Sequence, residues 1–243
     1  MFRYYFTYED QLPAGLRFSL FGTRHLATLL LVGILVVTII MVYRGGTENK
    51  RQNIRYSIAG VLVGLELFRQ IYLSATGVWT PKILPLDLCG WGLILVAIDA
   101  VHPSKFTRES FYALTWWAAL AAEVFPNWTA YPILNEWVLQ SIVIHALLIA
   151  YCLMIFFAGE YRPNVHNLWR VVLFLIVLVP ATMVINGLLK TNFLFLSVGS
   201  PGSPLAPIQT MTGTWYIPTL IGLISILWVI LYVPWSIHER KDE

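Results

Sequence analysis

Cys89 and the groups around it are the residues in this chain whose types could do covalent chemistry. It lies in Leu84-Pro85-Leu86-Asp87-Leu88-Cys89, where an apolar helix begins just after a proline. A proline is well placed at a helix start, and the free amides of the first turn favour a thiolate. A cysteine nucleophile also needs a base and a site for the oxyanion. Two histidines qualify as the base, His145 and His25. Asp87 has two opposed readings. Its charge disfavours a nearby thiolate, yet a carboxylate can orient a histidine as a triad acid does. On a regular helix Asp87 and Cys89 point to nearly opposite faces, so both line one site only if that turn is irregular. The simpler role for a free cysteine is a small buried hydrophobe.

These groups sit in a chain built for lipid. It is 58% hydrophobic and 12% charged, against a usual charged share of about 25%. Its mean hydropathy is +0.68. The apolar residues fall in segments of roughly 20, enough for a helix to cross a hydrocarbon core of about 30 Å. The short alternating segments of a transmembrane barrel are absent. The reading is a single polytopic domain over residues 1–243, an all-α membrane protein with a bundle of seven transmembrane helices. The expected spans are 20–43, 56–75, 84–101, 109–125, 134–158, 168–189 and 216–235. The fourth is short, and if it is re-entrant the count falls to six.

Residues 1–19 carry charges and no apolar stretch, so the first span is expected to direct insertion without a cleaved signal. Arg44, Lys50, Arg51, Arg55, Lys105, Arg108, Arg162, Arg170, Arg240 and Lys241 fall on one side of the spans, and Arg3, Arg17, Arg24, Lys82 and Lys190 on the other. The basic excess places the N-terminus outside and the C-terminus in the cytoplasm, in the plasma (cytoplasmic) membrane. A net charge of +3 spread over loops does not point to nucleic acid. Membrane lipids are the solvent and the candidate substrate. The oligomeric state is open.

Ionisable side chains at membrane depth are costly, so they are paired or functional. Glu66, Arg69 and Gln70 share one face of the second span. They serve either as an internal ion pair or as part of a site. His145 lies about 15 Å into the fifth span, some 9 Å deeper than Cys89 by helical rise, so tilt or unwinding must close that gap. His25 lies at a better depth and is the rival base. Asp99 and His102 are read as a solvated pair at the cytoplasmic end of the third span. Cys152 lies roughly 27 Å deep, too far from Cys89 for a disulfide. The dispersed histidines and the lack of HxxxH or CxxC spacing give no metal site, and no cofactor is implied. Gly60, Gly64, Gly90, Gly92, Ala118 and Ala121 are expected at close helix contacts. The long outer loop over residues 190–215, rich in Gly, Pro, Ser and Thr, is expected to border the mouth of a cavity opening to the outer leaflet.

Several stretches resemble one family in order along nearly the whole chain. They are Phe21-Gly22-Thr23-Arg24-His25, the Leu84–Cys89 stretch, Ile144-His145-Ala146 and Glu160-Tyr161-Arg162-Pro163. Asn186 to Leu196, including Asn192, Ser203-Pro204-Leu205 and Trp215-Tyr216 complete the run. The chain resembles the YwaF-like family of integral membrane proteins, related to transmembrane protein 164. That relative is described as a phospholipid acyltransferase with a cysteine nucleophile. The resemblance implies Cys89 as that nucleophile and His145 as its base. His25, Asp87, Glu66, Arg69, Asn186 and Asn192 stand as supporting or alternative site residues. The chain departs from the family at Asp87, where the motif usually has His. The alternative is a transporter or lipid-binding membrane protein that uses the same polar cavity without covalent chemistry. A third is a structural or sensory component held by internal polar locks.

Overall fold

The computed structural model describes residues 4–7, 11–13, 16 and 19–242, without the side chains of 238–242. Arg3, Glu9, Asp10, Arg17 and the side chains of Arg240 and Lys241 therefore lie outside the described residues. The regular elements among the described residues are all helical, with no strand. The long helices are α1 (Thr23–Arg44), α2 (Glu48–Ala75), α3 (Leu88–Val101), α6 (Glu136–Phe157), α7 (Leu168–Leu189) and α9 (Tyr216–Asp242). Between α3 and α6, α4 (Lys105–Ser110) runs through a π turn (Phe111–Thr115) into α5 (Trp116–Val124) as one continuous rod. A short helix, α8 (Leu205–Thr212), precedes α9.

Five helical stretches are long and apolar enough to cross a membrane: Thr23–Arg44, Glu48–Ala75, Glu136–Phe157, Val165–Leu189 and Leu205–Ile237. Helix α3 is apolar but shorter. Except in Glu136–Phe157, most of their residues are not buried. Leu30, Leu31 and Met41 on α1 are each about two-thirds exposed. Apolar faces of this extent suit a hydrocarbon solvent and would be a liability in water.

Helix α6 is the axis of the bundle. It packs on α1, α2, α3 and α5. Ala146, Leu148, Ala150, Tyr151, Cys152, Met154 and Ile155 are fully buried along it. A helix that is apolar all round belongs at the centre. Cys152 is a core filler there, and both cysteines are free.

Apolar burial gives little drive between helices in lipid, so close packing and interhelical hydrogen bonds hold the bundle. Gly92 illustrates the packing. A Cβ there would stand 2.6 Å from Cγ2 of Thr115, so α3 meets the π turn only because Gly92 lacks a side chain. The π turn also leaves carbonyls for side chains. Those of Tyr112 and Ala113 accept from the indole N–H groups of Trp116 and Trp228, both at 3.0 Å. Gly60 and Gly64, expected at helix contacts, instead face open space, as a Cβ on either would meet nothing within 4 Å. The small residue buried at the α5–α6 contact is Ala119.

Other boundaries differ from the sequence reading for physical reasons. Helix α2 begins at Glu48, eight residues before the expected span. Its charged first turns are good helix formers, and their arginines have partners within the protein. Helix α3 begins at Leu88 rather than Leu84. The preceding residues form a 3₁₀ turn (Pro81–Ile83) and an extended step into Asp87.

The cytoplasmic end, by the expected topology, holds a buried polar network. Arg55 donates to Glu160 (2.9 Å), Tyr43 (2.7 Å) and Glu48 (2.9 Å). Tyr43 also donates to Glu160 at 2.7 Å. Asp99 is fully buried, accepting from Thr107 (2.5 Å) and Tyr151 (3.1 Å), with Arg108 at 3.7 Å. The expected solvated pair is thus not formed, because Asp99 turns inward while His102 is exposed. Glu109 accepts from Tyr161 and Tyr232. Burial, then the bond to Glu109, pushes the Tyr161 phenol up from its ordinary value, which keeps it a donor.

Candidate active site

A cavity of about 1060 Å³ lies between α3, α5 and α6 on one side and α7 and α9 on the other. Cys89, His145, Asp87, Glu66 and Arg69 all line it, with Gln140 and Ser141. Its other walls are mostly apolar, including Ala118, Ala122, Val172, Leu175, Ile217 and Ile224.

Cys89 occupies the first turn of α3. The first bond within that helix runs from Trp91 N–H to the Asp87 carbonyl at 3.0 Å. The amides of Leu88, Cys89 and Gly90 are therefore those the helix itself cannot satisfy. Asp87 holds the N-cap position, yet its side chain makes no capping bond. Its carboxylate accepts instead from the Leu194 amide at 2.8 Å. Leu194 and Phe195 have φ of 59° and 50°, a left-handed conformation that is costly for such side chains. Asp87 thus pins a strained loop over the start of α3.

Gly90 makes this start possible. A Cβ there would sit 2.2 Å from the Pro85 carbonyl oxygen. Gly90→Ala is therefore expected to displace the first turn of α3 and cut alkylation of Cys89 by a lipid-like electrophile several-fold. Comparing labelling rates of wild type and variant in membranes checks this.

The polar end of the cavity is tied together by α2. Arg69 forms an ion pair with Glu66 at 2.8 Å and donates to the Ile83 carbonyl at 3.0 Å. Gln70 donates to Glu66 (2.7 Å) and to the same carbonyl (2.8 Å), and accepts from the Trp79 indole at 2.9 Å. These bonds hold the segment that leads into Cys89. Arg69 is also within electrostatic range of Asp87, Glu136 and His145. Glu66 and Arg69 are thus an ion pair and cavity lining at once.

The two histidines have different settings. His145 pairs through Nδ1 with the Ser141 hydroxyl at 3.3 Å, one turn away on α6, which leaves Nε2 for chemistry in the cavity. His25 is 1% exposed, and Nδ1 accepts from the Phe21 amide at 3.0 Å. Its Nε2 must then carry the proton it donates to the Glu123 carbonyl at 2.9 Å. His25 joins α1 to α5 and is not part of the cavity wall.

Asn186 and Asn192 organise the loop over residues 190–215. Asn186 accepts from Thr191 (2.9 Å) and the Phe193 amide (2.8 Å), and donates to the Phe193 carbonyl (3.0 Å). Asn192 accepts from the Ser197 and Val198 amides and donates to the Val198 carbonyl. The loop is an internally bonded structure, and Leu194, Ser200 and Leu205 bring it to the cavity.

Glu123 was not singled out in the sequence, because it falls at the end of the expected fourth span. It is 1% exposed, and neither carboxyl oxygen has a hydrogen-bond partner among the described residues. With Asp87 it is within electrostatic range of Cys89. The Glu160 and Asp99 networks were also missed. Their only sequence signal was charge at the ends of apolar runs.

No curated protein and no solved structure matches this chain. A family model matches residues 20–232, which spans every element that lines the cavity. The chain belongs to the TMEM164 family.

Proposed function

We propose that this protein is a membrane-embedded enzyme of lipid acyl transfer, with Cys89 as nucleophile and His145 as base. The observation that carries this reading is that Cys89 and His145 line one cavity with largely apolar walls, at a helix start whose amides lack helical partners. In the first step the Cys89 sulfur attacks the carbonyl carbon of a lipid ester, and His145 takes the thiol proton. The first-turn amides of α3 receive the oxyanion. The ester oxygen then leaves as an alcohol, taking the proton from His145, and the acyl group remains as a thioester. In the second step an acceptor hydroxyl attacks the thioester, its proton passes through His145 to sulfur, and ester and thiol are restored.

The same reading places seven spans in the plasma membrane, α4 and α5 together making the fourth. The N-terminus is outside and the C-terminus in the cytoplasm. The YwaF-like relationship and the phospholipid substrate belong to it as well. A second reading, lipid binding or transport without covalent chemistry, draws on Asp87. That carboxylate stands two residues from the thiol and is engaged by Leu194, where a histidine would be expected to serve the sulfur.

Labelling with a lipid-like electrophile separates the two. Wild type is expected to be labelled and Cys89→Ala not, since Cys152 is fully buried in the core. Equal labelling of both proteins would remove Cys89 as nucleophile. Substrate-dependent flux through proteoliposomes containing Cys89→Ala would favour the transport reading.

A further inference from the structure

We propose that the cavity receives its lipid sideways from the membrane, through a portal between α7 and α9 bounded by Ile176 and Ile221. Both residues line the cavity, yet they are 62% and 60% exposed, more than an enclosed wall would leave. A residue that does both stands at an opening. The opening lies part-way along two helices that are long and apolar enough to cross a membrane, so what lies outside it is acyl chain.

Helical spacing supports this placement. Val172, Ile176 and Val179 on α7, and Ile217, Ile221 and Ile224 on α9, recur at intervals of three and four, so each helix turns one apolar stripe to the cavity. The two helices do not pack closely against one another. Pro180 lies inside α7 and also lines the cavity. It has no N–H to give the Ile176 carbonyl four residues earlier, which weakens the helix at the portal. Trp228 also lines the cavity, its indole donating to the Ala113 carbonyl at 3.0 Å. An acyl chain entering here would reach Leu114, which is 3% exposed, and Ala118 on α5, an inner rod.

The ligand class rests on the lipid-directed reading above, while the route does not depend on acyl transfer. The test therefore uses the full chain carrying Cys89→Ala, in vesicles containing a phosphatidylcholine with a diazirine at the end of one chain. Photolysis is expected to label peptides containing Leu114 and Ala118. Adding Ile176→Trp and Ile221→Trp should reduce that labelling several-fold, while Leu30→Trp on the exposed face of α1 should leave it unchanged. If the tryptophan pair fails to fold, the smaller Ile176→Phe and Ile221→Phe pair gives the same comparison. Labelling of Leu114 and Ala118 that the plugs leave unchanged overturns the portal, as does no labelling there. Because this protein lacks the thiol, failure of acyl transfer in the wild type would leave these outcomes intact.

Discussion

His145→Gln is expected to lower acyl transfer by about 10²–10⁴-fold, the usual contribution of a positioned base. Glutamine can keep a hydrogen bond to Ser141 but cannot shuttle a proton. Cys89 should remain in place and accessible, because its position depends on Gly90, Asp87 and the segment held by Arg69 and Gln70, none of which bonds to His145. Slow alkylation of Cys89 by a simple thiol reagent should therefore persist while turnover is lost. His25→Gln supplies the contrast. It disturbs the local bond to Phe21 and the bond to Glu123 that joins α1 to α5, so its main effect should be a lower melting temperature. A larger loss of turnover in His25→Gln at unchanged stability would make His25 the base instead. Activity and thermal unfolding measured on both variants decide between them.

Glu160→Ala is expected to destabilise the protein by about 3–5 kcal/mol, the cost of breaking a buried ion pair from one side. Arg55 has 8% side-chain exposure and Glu160 14%, and they meet at 2.9 Å. The same carboxylate accepts from Tyr43 at 2.7 Å and stands within 3.4–3.6 Å of Arg51 and Arg108. Its removal leaves three cations from α2 and α4 crowded together. Glu48 remains for Arg55 but is largely exposed, so its compensation is screened. Glu160→Gln keeps an acceptor for Tyr43 and should fall between wild type and alanine. Unfolding in detergent measures the series. A change under about 0.5 kcal/mol for Glu160→Ala, the size of an ordinary surface substitution, would mean that the network is not a lock.

The apolar runs were legible because a hydrocarbon core demands about 20 residues regardless of neighbours. The start of α7 and the start of α9 agree with the sequence reading at Leu168 and Tyr216. Charged helix was harder to read. Residues 48–55 resemble a basic loop on composition, and their helical state is supported by Arg51 and Arg55 finding Glu160 just past the end of α6. The same problem concealed Asp99. A carboxylate three residues from a histidine at the end of an apolar run looks solvated until Thr107, Tyr151 and Arg108 arrive from other elements.

The chemistry divides along the same line. By itself the sequence determined the helical membrane character and the choice of candidate groups, because apolar length and side-chain type act locally. Only the tertiary structure decided which of them share a cavity. It brought Asp87, Cys89, Glu66, Arg69 and His145 to one cavity and took His25 into a contact between α1 and α5. It spent Asn186 and Asn192 on the loop that follows α7, and turned Asp87 toward Leu194. These outcomes depend on the rotation of each helix about its axis and on hydrogen bonds between residues up to about a hundred positions apart. Neither is written in the local pattern that composition and spacing can reveal.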